Sequence, residues 1–218
     1  METVGGFSMC CPPSTLERNS MLELAVKQSE WPPANWLHTE AQKGQAVSLR
    51  IGGDFHYPMA DMEKADHEVL LIAGGVGINP LASIYFHVAD LIGTIGSFSN
   101  NDLIKKYFVS VAASGKSNCK KVHLLFSAKS TTEHLFKLKF DSVSELHPEV
   151  FTNEYISTRD TGKKIDLQKL QEAVMLLNGP KKRTFCFVCG PPQMIKDVTK
   201  LIGSLGIPES NIKYELWW

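Results

Sequence analysis

The sequence has no excess of either charge: 23 Lys and Arg balance 23 Asp and Glu across 218 residues. That balance removes the electrostatic reason to expect nucleic acid or an anionic membrane as partner, and it makes small-molecule chemistry the better starting point. Five cysteines, an odd number without regular spacing, make no disulfide framework and suit a reducing compartment. The seven histidines form no HExxH or HxxxH pair. Cys186 and Cys189 resemble a CxxC motif, but they lie in the apolar run TFCFVCG. Residues three apart on a strand point to opposite faces and cannot share one ion, so no metal site is expected. Long unbroken hydrophobic runs are also missing. The longest uncharged stretch, Val69 to Phe86, reaches membrane-spanning length but is broken at Gly74, Gly75, Gly77 and Asn79-Pro80, so no membrane span is expected. The N-terminus opens with neither a basic nor a long apolar segment, and no signal or transit peptide is read there.

What is present has the composition of a globular chain, 43% hydrophobic and 21% charged, with length for one large domain or two small ones. From Val69 onward, short apolar runs alternate with helical patterns. VLLIA at 69 to 73, VHLLFSA at 122 to 128, VFTNEYIS at 150 to 157, TFCFVCG at 184 to 190 and IKYELW at 212 to 217 read as strands. Pro80 to Ile92, Asp166 to Leu177 and a segment from Pro191-Pro192 to about Ser204 read as helices. Strands separated by helices predict an α/β fold, a doubly wound and mostly parallel sheet covered on both faces. Residues 93 to 118, opening GTIGSFSNND, read as an excursion with a short helix around Leu103 to Val111.

The first 60 residues differ. LELAVK at 22 to 27 and AVSLRI at 46 to 51, bounded by CCPPS, EWPPAN and GGDFHYP, predict antiparallel strands. A boundary in ADMEKAD divides the chain into residues 1–62 and 66–218. Sixty residues are few for an independent β domain, so the first part is expected to lean on the second.

The segment Ala73-Gly-Gly-Val-Gly-Ile-Asn-Pro80 follows a buried strand and opens a helix. Its glycines let a ligand approach the backbone, Asn79 is placed to cap the first turn, and Pro80 suits a first helical position. Such a helix start favours a pyrophosphate. The spacing is not GxGxxG, and a tight turn with glycines for packing alone is the competing reading. Further polar residues fall at the same end of the other strands: Ser127 and Lys129, Ser157 to Arg159, and Cys189-Gly190-Pro191-Pro192. In an open α/β sheet that edge is where ligands bind.

The pattern resembles the ferredoxin-NADP reductase superfamily, and residues 66–218 are similar to the oxidoreductase NAD-binding domain-containing protein 1 family. GGVGINP matches the superfamily's GxGxxP loop and CGPPQM its CGPxxM motif, in the right order and more than 100 residues apart. The resemblance implies NAD or NADP as cofactor, with Gly74, Gly75, Val76, Gly77, Ile78 and Asn79 at the pyrophosphate and adjoining ribose. It implies Cys189, Gly190 and Pro191 beside the nicotinamide, Cys189 being catalytic, against the alternative of a buried core cysteine. Arg159, with Lys163 and Lys164 behind it, stands where NADP-dependent relatives place a cation; NAD and NADP both remain open. Trp218 is read either as the aromatic ring that nicotinamide displaces or as a terminal ring packed on the surface.

GGFSMCCP at 5 to 12 resembles the superfamily's flavin motif RxYSxxSxP, which implies a partial antiparallel β-barrel flavin domain, FAD as a possible cofactor, Phe7 as a flavin contact and Ser8 as a catalytic residue. Gly5 stands where the motif has Arg. A second flavin motif, GxxS, matches only as WPPANWLH, with Trp31 for Gly and Ala34 for Ser. The resemblance implies hydride transfer between NAD(P)H and flavin, with electrons passing to an unidentified acceptor and a mitochondrial location, the cytosol being the alternative. A nucleotide-binding or interaction protein without flavin is the competing function, and a standalone dehydrogenase a third.

Overall fold

In the computed structural model, residues 5–57, 62, 64–92 and 117–216 are described. Five parallel strands form one sheet: β1 (His67–Gly74), β2 (Cys119–Ala128), β3 (Phe151–Ser157), β4 (Thr184–Gly190) and β5 (Ile212–Leu216), in the order β3-β2-β1-β4-β5. The five apolar runs read from the sequence are these strands. All eight residues of β1 are buried, as a parallel strand covered on both faces requires.

Alternate residues feed two cores. Val69, Leu71 and Ala73 join Phe126, Phe187 and Cys189 under α3 (Ile78–Ile92) and α4 (Lys137–Leu146). Leu70 and Ile72 join Leu125, Val188 and Cys186 under α6 (Leu167–Leu176) and α7 (Pro192–Ser204); a short α5 (Thr158–Thr161) follows β3. Cys186 and Cys189 therefore face opposite cores, as their spacing predicts. On α7 the spacing of Ile195, Val198 and Ile202 makes a single buried stripe, each side chain contributing about 1.5–3 kcal/mol through burial. Asp166 caps α6 by accepting a hydrogen bond from the Lys169 amide at 2.9 Å.

The sequence reading missed α4, whose buried stripe is only Phe140 and Val143. The helix expected around Leu103 to Val111 lies outside the described residues.

Residues 5–57 correct the expectation of a partial antiparallel barrel, since no flavin barrel is visible among the described residues. They contain two helices, α1 (Pro13–Asn19) and α2 (Pro32–Thr39), and one isolated antiparallel bridge, Met9 to Leu24. Of the strand expected at 22 to 27, Leu24 alone is bridged. The segment 46–51 makes no ladder with other described residues, and Val47, Leu49 and Ile51 are exposed. Alternation supplies a strand's period, but only a neighbour supplies its hydrogen bonds and burial.

These residues lean on α3, as expected. Asn79 donates to the Ala25 carbonyl and Ser83 to the Cys11 carbonyl, both at 2.7 Å. Asp90 accepts from Ser14 and pairs with Arg18 at 3.9 Å. The three acceptor and donor groups on α3 share one stripe, while the opposite side of the helix packs on the sheet.

Candidate functional site

The strand order reverses between β1 and β4, and their carboxyl ends carry the two glycine motifs. β1 runs into a tight 3-10 turn, Gly75–Gly77, and then directly into α3. Gly77 packs against the end of β4: a Cβ there would collide with the Cys189 carbonyl and stand 2.6 Å from the Gly190 amide nitrogen. Gly74 is closed in the same way by Met194 and Pro191, each 2.7 Å from where its Cβ would be, and Gly190 by Met194 and the Gly74 backbone. The motifs at 74–77 and 189–191 are thus two halves of one interlock. Gly75 is different. Its φ is +55° and nothing lies within 4 Å of an added Cβ, so the backbone is bare at the crest of the turn. Beside it, Val76 is 39% exposed, while Ile78 is fully buried under the turn.

Asn79 does not cap α3. The helix begins at Ile78, one residue earlier, so Asn79 lies within the first turn, where its side chain holds Ala25. Pro80 is third rather than first, still among positions whose N–H has no partner inside a helix. The Asn79 Oδ1 is buried without a hydrogen-bond partner. An orphaned acceptor beside a bare glycine turn at a helix start is a set of groups that suits a polar, phosphate-bearing ligand.

Cys189 lies in the core under α3, fully buried. None of the five cysteines forms a disulfide. Burial pushes the Cys10 thiol up to about 11 and Cys119 up to about 12, so neither offers a thiolate near neutral pH.

Across the β4–β5 ladder, Cys189 is paired with Glu215. Glu215 accepts a hydrogen bond from the Ser8 hydroxyl at 2.9 Å. Ser8, from the start of the chain, is thereby brought to the carboxyl edge of β4 and β5, next to the interlocked turn. Glu215 was not singled out in the sequence. It is the only acid in IKYEL, and no local motif marks it; its place follows from strand register alone. Phe7 packs tilted against Trp31, ring centroids 5.8 Å apart.

At the far side, β2 and β3 end level, Ala128 opposite Ser157. The Arg159 amide donates to the Lys129 carbonyl at 2.8 Å and the Arg159 side chain is exposed. The neighbouring Asp160 carboxylate accepts from the Thr131 amide and hydroxyl at 2.9 and 2.8 Å. These hydrogen bonds from Thr131 hold Asp160 below the usual carboxylate range. Thr131 and Asp160 also escaped the sequence reading, because their pairing joins a turn and the short α5 29 residues further on. Trp218 lies outside the described residues. The structure brings Gly74 to Asn79, Gly190, Pro191 and Cys189 together, with Ser8 at their border. Phe7 lies with Trp31, and Arg159 stands at the end of β3, two strands from β1.

Among solved structures, a ferredoxin NADP+ reductase from Neisseria gonorrhoeae with bound FAD and NADP is 20% identical with a TM-score of 0.63, covering 96% of this chain and 78% of that one. The CS-b5R domains of human Ncb5or in an NAD+ form are 15% identical with a TM-score of 0.63, covering 98% and 56%. At these identities the likeness is one of fold. Closer in sequence are proteins called oxidoreductase NAD-binding domain-containing protein 1. That of Danio rerio is 36% identical over 231 residues, covering 100% of this chain and 77% of its own length. Those of Homo sapiens and Xenopus laevis are 33% and 35% identical, and the chain spans 67% and 65% of their lengths. The family model described as oxidoreductase NAD-binding domain matches residues 71–200, which run from the middle of β1 through most of α7. The chain belongs to the oxidoreductase NAD-binding domain family.

Proposed function

We propose that this chain binds a reduced nicotinamide dinucleotide across the carboxyl ends of β1 and β4 and serves as the hydride-donating part of an oxidoreductase. The observation that carries the reading is the interlock of Gly74–Gly77 with Cys189–Gly190, which leaves Gly75 bare at the strand-order reversal. In this reading the turn and the first amides of α3 receive the pyrophosphate, with the Asn79 Oδ1 accepting from an adjoining hydroxyl. Gly190 and Pro191 lie beside the nicotinamide, and Arg159 meets the adenosine end. When bound, the nucleotide supplies a hydride from nicotinamide C4.

The chain's own residues orient the nucleotide and exclude water. Cys189, enclosed in the core, gives the site its floor rather than a proton. Ser8 and Glu215 form a polar pair at the border, holding one proton between hydroxyl and carboxylate at 2.9 Å.

The flavin expected from the resemblance fits this chain less well than the nucleotide does. The resemblance puts Ser8 beside the flavin ring, but the phosphate side lacks its donors. That mismatch favours the second reading, a nucleotide-binding protein without redox turnover.

Titration of the purified chain with NADH and NADPH, followed by nicotinamide fluorescence, tests the proposal. Saturable binding that is weakened in Gly75→Asn, a side chain that tolerates the left-handed φ of +55°, with only a small fall in melting temperature, is the expected result. Failure of both nucleotides to bind at millimolar concentration would sink both readings.

A further inference from the structure

A bound flavin mononucleotide or dinucleotide needs its phosphate held, and three kinds of group do this: a cation, a hydroxyl, and the free amides of a helix start. The start of α2 and the turn at Gly5, where the resemblance puts that phosphate, supply none of them in the expected places. Gly5 occupies the arginine position, and a Cβ there would stand 2.7 Å from both the Phe7 ring and Pro33. A longer side chain there therefore collides with both rings where they stand. Ala34, in the serine position, is 3% exposed and has no hydroxyl.

The helix start is the most telling. The first two residues of α2 are Pro32 and Pro33, and proline has no N–H. The Asn35 amide is already bonded to the Trp31 carbonyl at 2.9 Å. Of the first four backbone donors, Ala34 alone has an N–H not engaged in this way, and the residue is buried. The two cations of the segment 5–36 are also engaged: Arg18 lies 3.9 Å from Asp90 and Lys27 lies 3.8 Å from Glu133. In place of a phosphate site stands an aromatic plug, Phe7 tilted against Trp31 at 5.8 Å with Pro33 behind Gly5.

We propose that the Gly5 turn and the start of α2 recognise no phosphate, so that this chain does not retain FAD or FMN as a resident group. Any flavin that meets it is recognised by its ring alone, and FAD, FMN and riboflavin are equivalent to it. The inference rests on the proposed function only in taking the Ser8 side as the acceptor side.

Equilibrium titration of the full chain with FAD, FMN and riboflavin, read by flavin fluorescence anisotropy at low and high salt, decides the matter. The expected result is that the three affinities agree within about three-fold, weak or unmeasurable ones included, that salt shifts them alike, and that gel filtration strips all flavin. A phosphate held by charge and helix amides would instead raise FAD or FMN about ten-fold or more over riboflavin. That outcome, or stoichiometric flavin retained on the purified chain, overturns the proposal. NADH titration of the same preparation separates the two ideas: loss of nucleotide binding there condemns the proposed function and leaves the flavin comparison intact.

Discussion

Gly77 and Cys189, 112 positions apart in the chain, touch backbone to backbone, because the absent side chain of Gly77 is the space the Cys189 carbonyl fills. The turn after β1 and the end of β4 are therefore one object, and a change in either is felt by both.

Gly77→Ala is predicted to cost about 1–3 kcal/mol of stability, the penalty of overpacking a filled site, and to weaken NADH binding as the turn shifts. Gly203→Ala supplies the contrast. That glycine lies inside α7 with nothing within 4 Å of an added Cβ, so alanine there is predicted to stabilise by about 0.5–1 kcal/mol. Denaturant unfolding of the two variants, with NADH titration of each, checks both signs. A neutral Gly77→Ala would show that the close approach is not real.

The same turn leads to the clamp on the first residues. Asn79 and Ser83, four apart on α3, each hold a backbone carbonyl of the segment that carries Ser8. Met9 and Leu24 are bridged, and the Cys10 amide donates to the Glu23 carbonyl at 3.0 Å, so residues 9–11 and 23–25 are held as a unit. Ser83→Ala is predicted to cost about 1 kcal/mol and to speed amide exchange in residues 9–25 while the sheet stays protected. Ser83→Thr keeps the hydroxyl and should exchange like the unmutated chain. Equal exchange in all three would mean that the clamp holds nothing.

Much of this was legible in the sequence, for physical reasons. β1 and β4 are continuous apolar runs because they are parallel strands buried on both faces, and the turn after β1 announces itself through glycines, Gly74 and Gly77 at close backbone approaches and Gly75 at a positive φ. What was not legible depends on partners distant in sequence. The alternation Val47, Leu49, Ile51 has the period of a strand and, among the described residues, no neighbour to make it one. Asn79 has the chemistry of a cap, yet its amide is taken by Ala25. Glu215 joins Ser8 only because β5 pairs in one register with β4.

His123 predicts an acid sensitivity outside the proposed nucleotide site. It is 2% exposed, its Nδ1 is 2.8 Å from the Thr152 hydroxyl, and its Nε2 has no partner. Burial lowers its pKa from 6.5 to about 4. Glu154 opposes that shift and Lys169 adds to it, the two being paired with each other at 2.8 Å. A folded pKa below the unfolded one means that the unfolded chain binds the proton more readily. The contribution is thus complete above pH about 6.5 and is lost as the pH falls towards about 4, on the order of 3 kcal/mol in all. Unfolding midpoints of the unmutated chain and His123→Gln between pH 7.5 and 4.5 test it. The variant should lose less stability over that range, and parallel curves would place the acid sensitivity elsewhere.

The end of β3 bears on which nucleotide is preferred. A carboxylate free to bind a ribose 2′-hydroxyl favours NADH, whereas an unopposed cation favours the 2′-phosphate of NADPH. Here one oxygen of Asp160, Oδ2, accepts both hydrogen bonds from Thr131, while the side chain of Arg159 is exposed beside it. This arrangement predicts that the chain binds NADPH at least as tightly as NADH. Arg159→Ala should then weaken NADPH about ten-fold, the loss of one charge-assisted hydrogen bond, and leave NADH within about two-fold. Thr131→Ala works in the opposite sense, since it removes the hydroxyl's hydrogen bond to Asp160 and keeps only that of the amide, and it should shift preference modestly towards NADH. Parallel titrations of the three chains with both nucleotides read out the ratio directly. If Arg159→Ala weakens the two nucleotides equally, the arginine does not meet the 2′ position, and the adenosine end of the site lies elsewhere along the edge of the sheet.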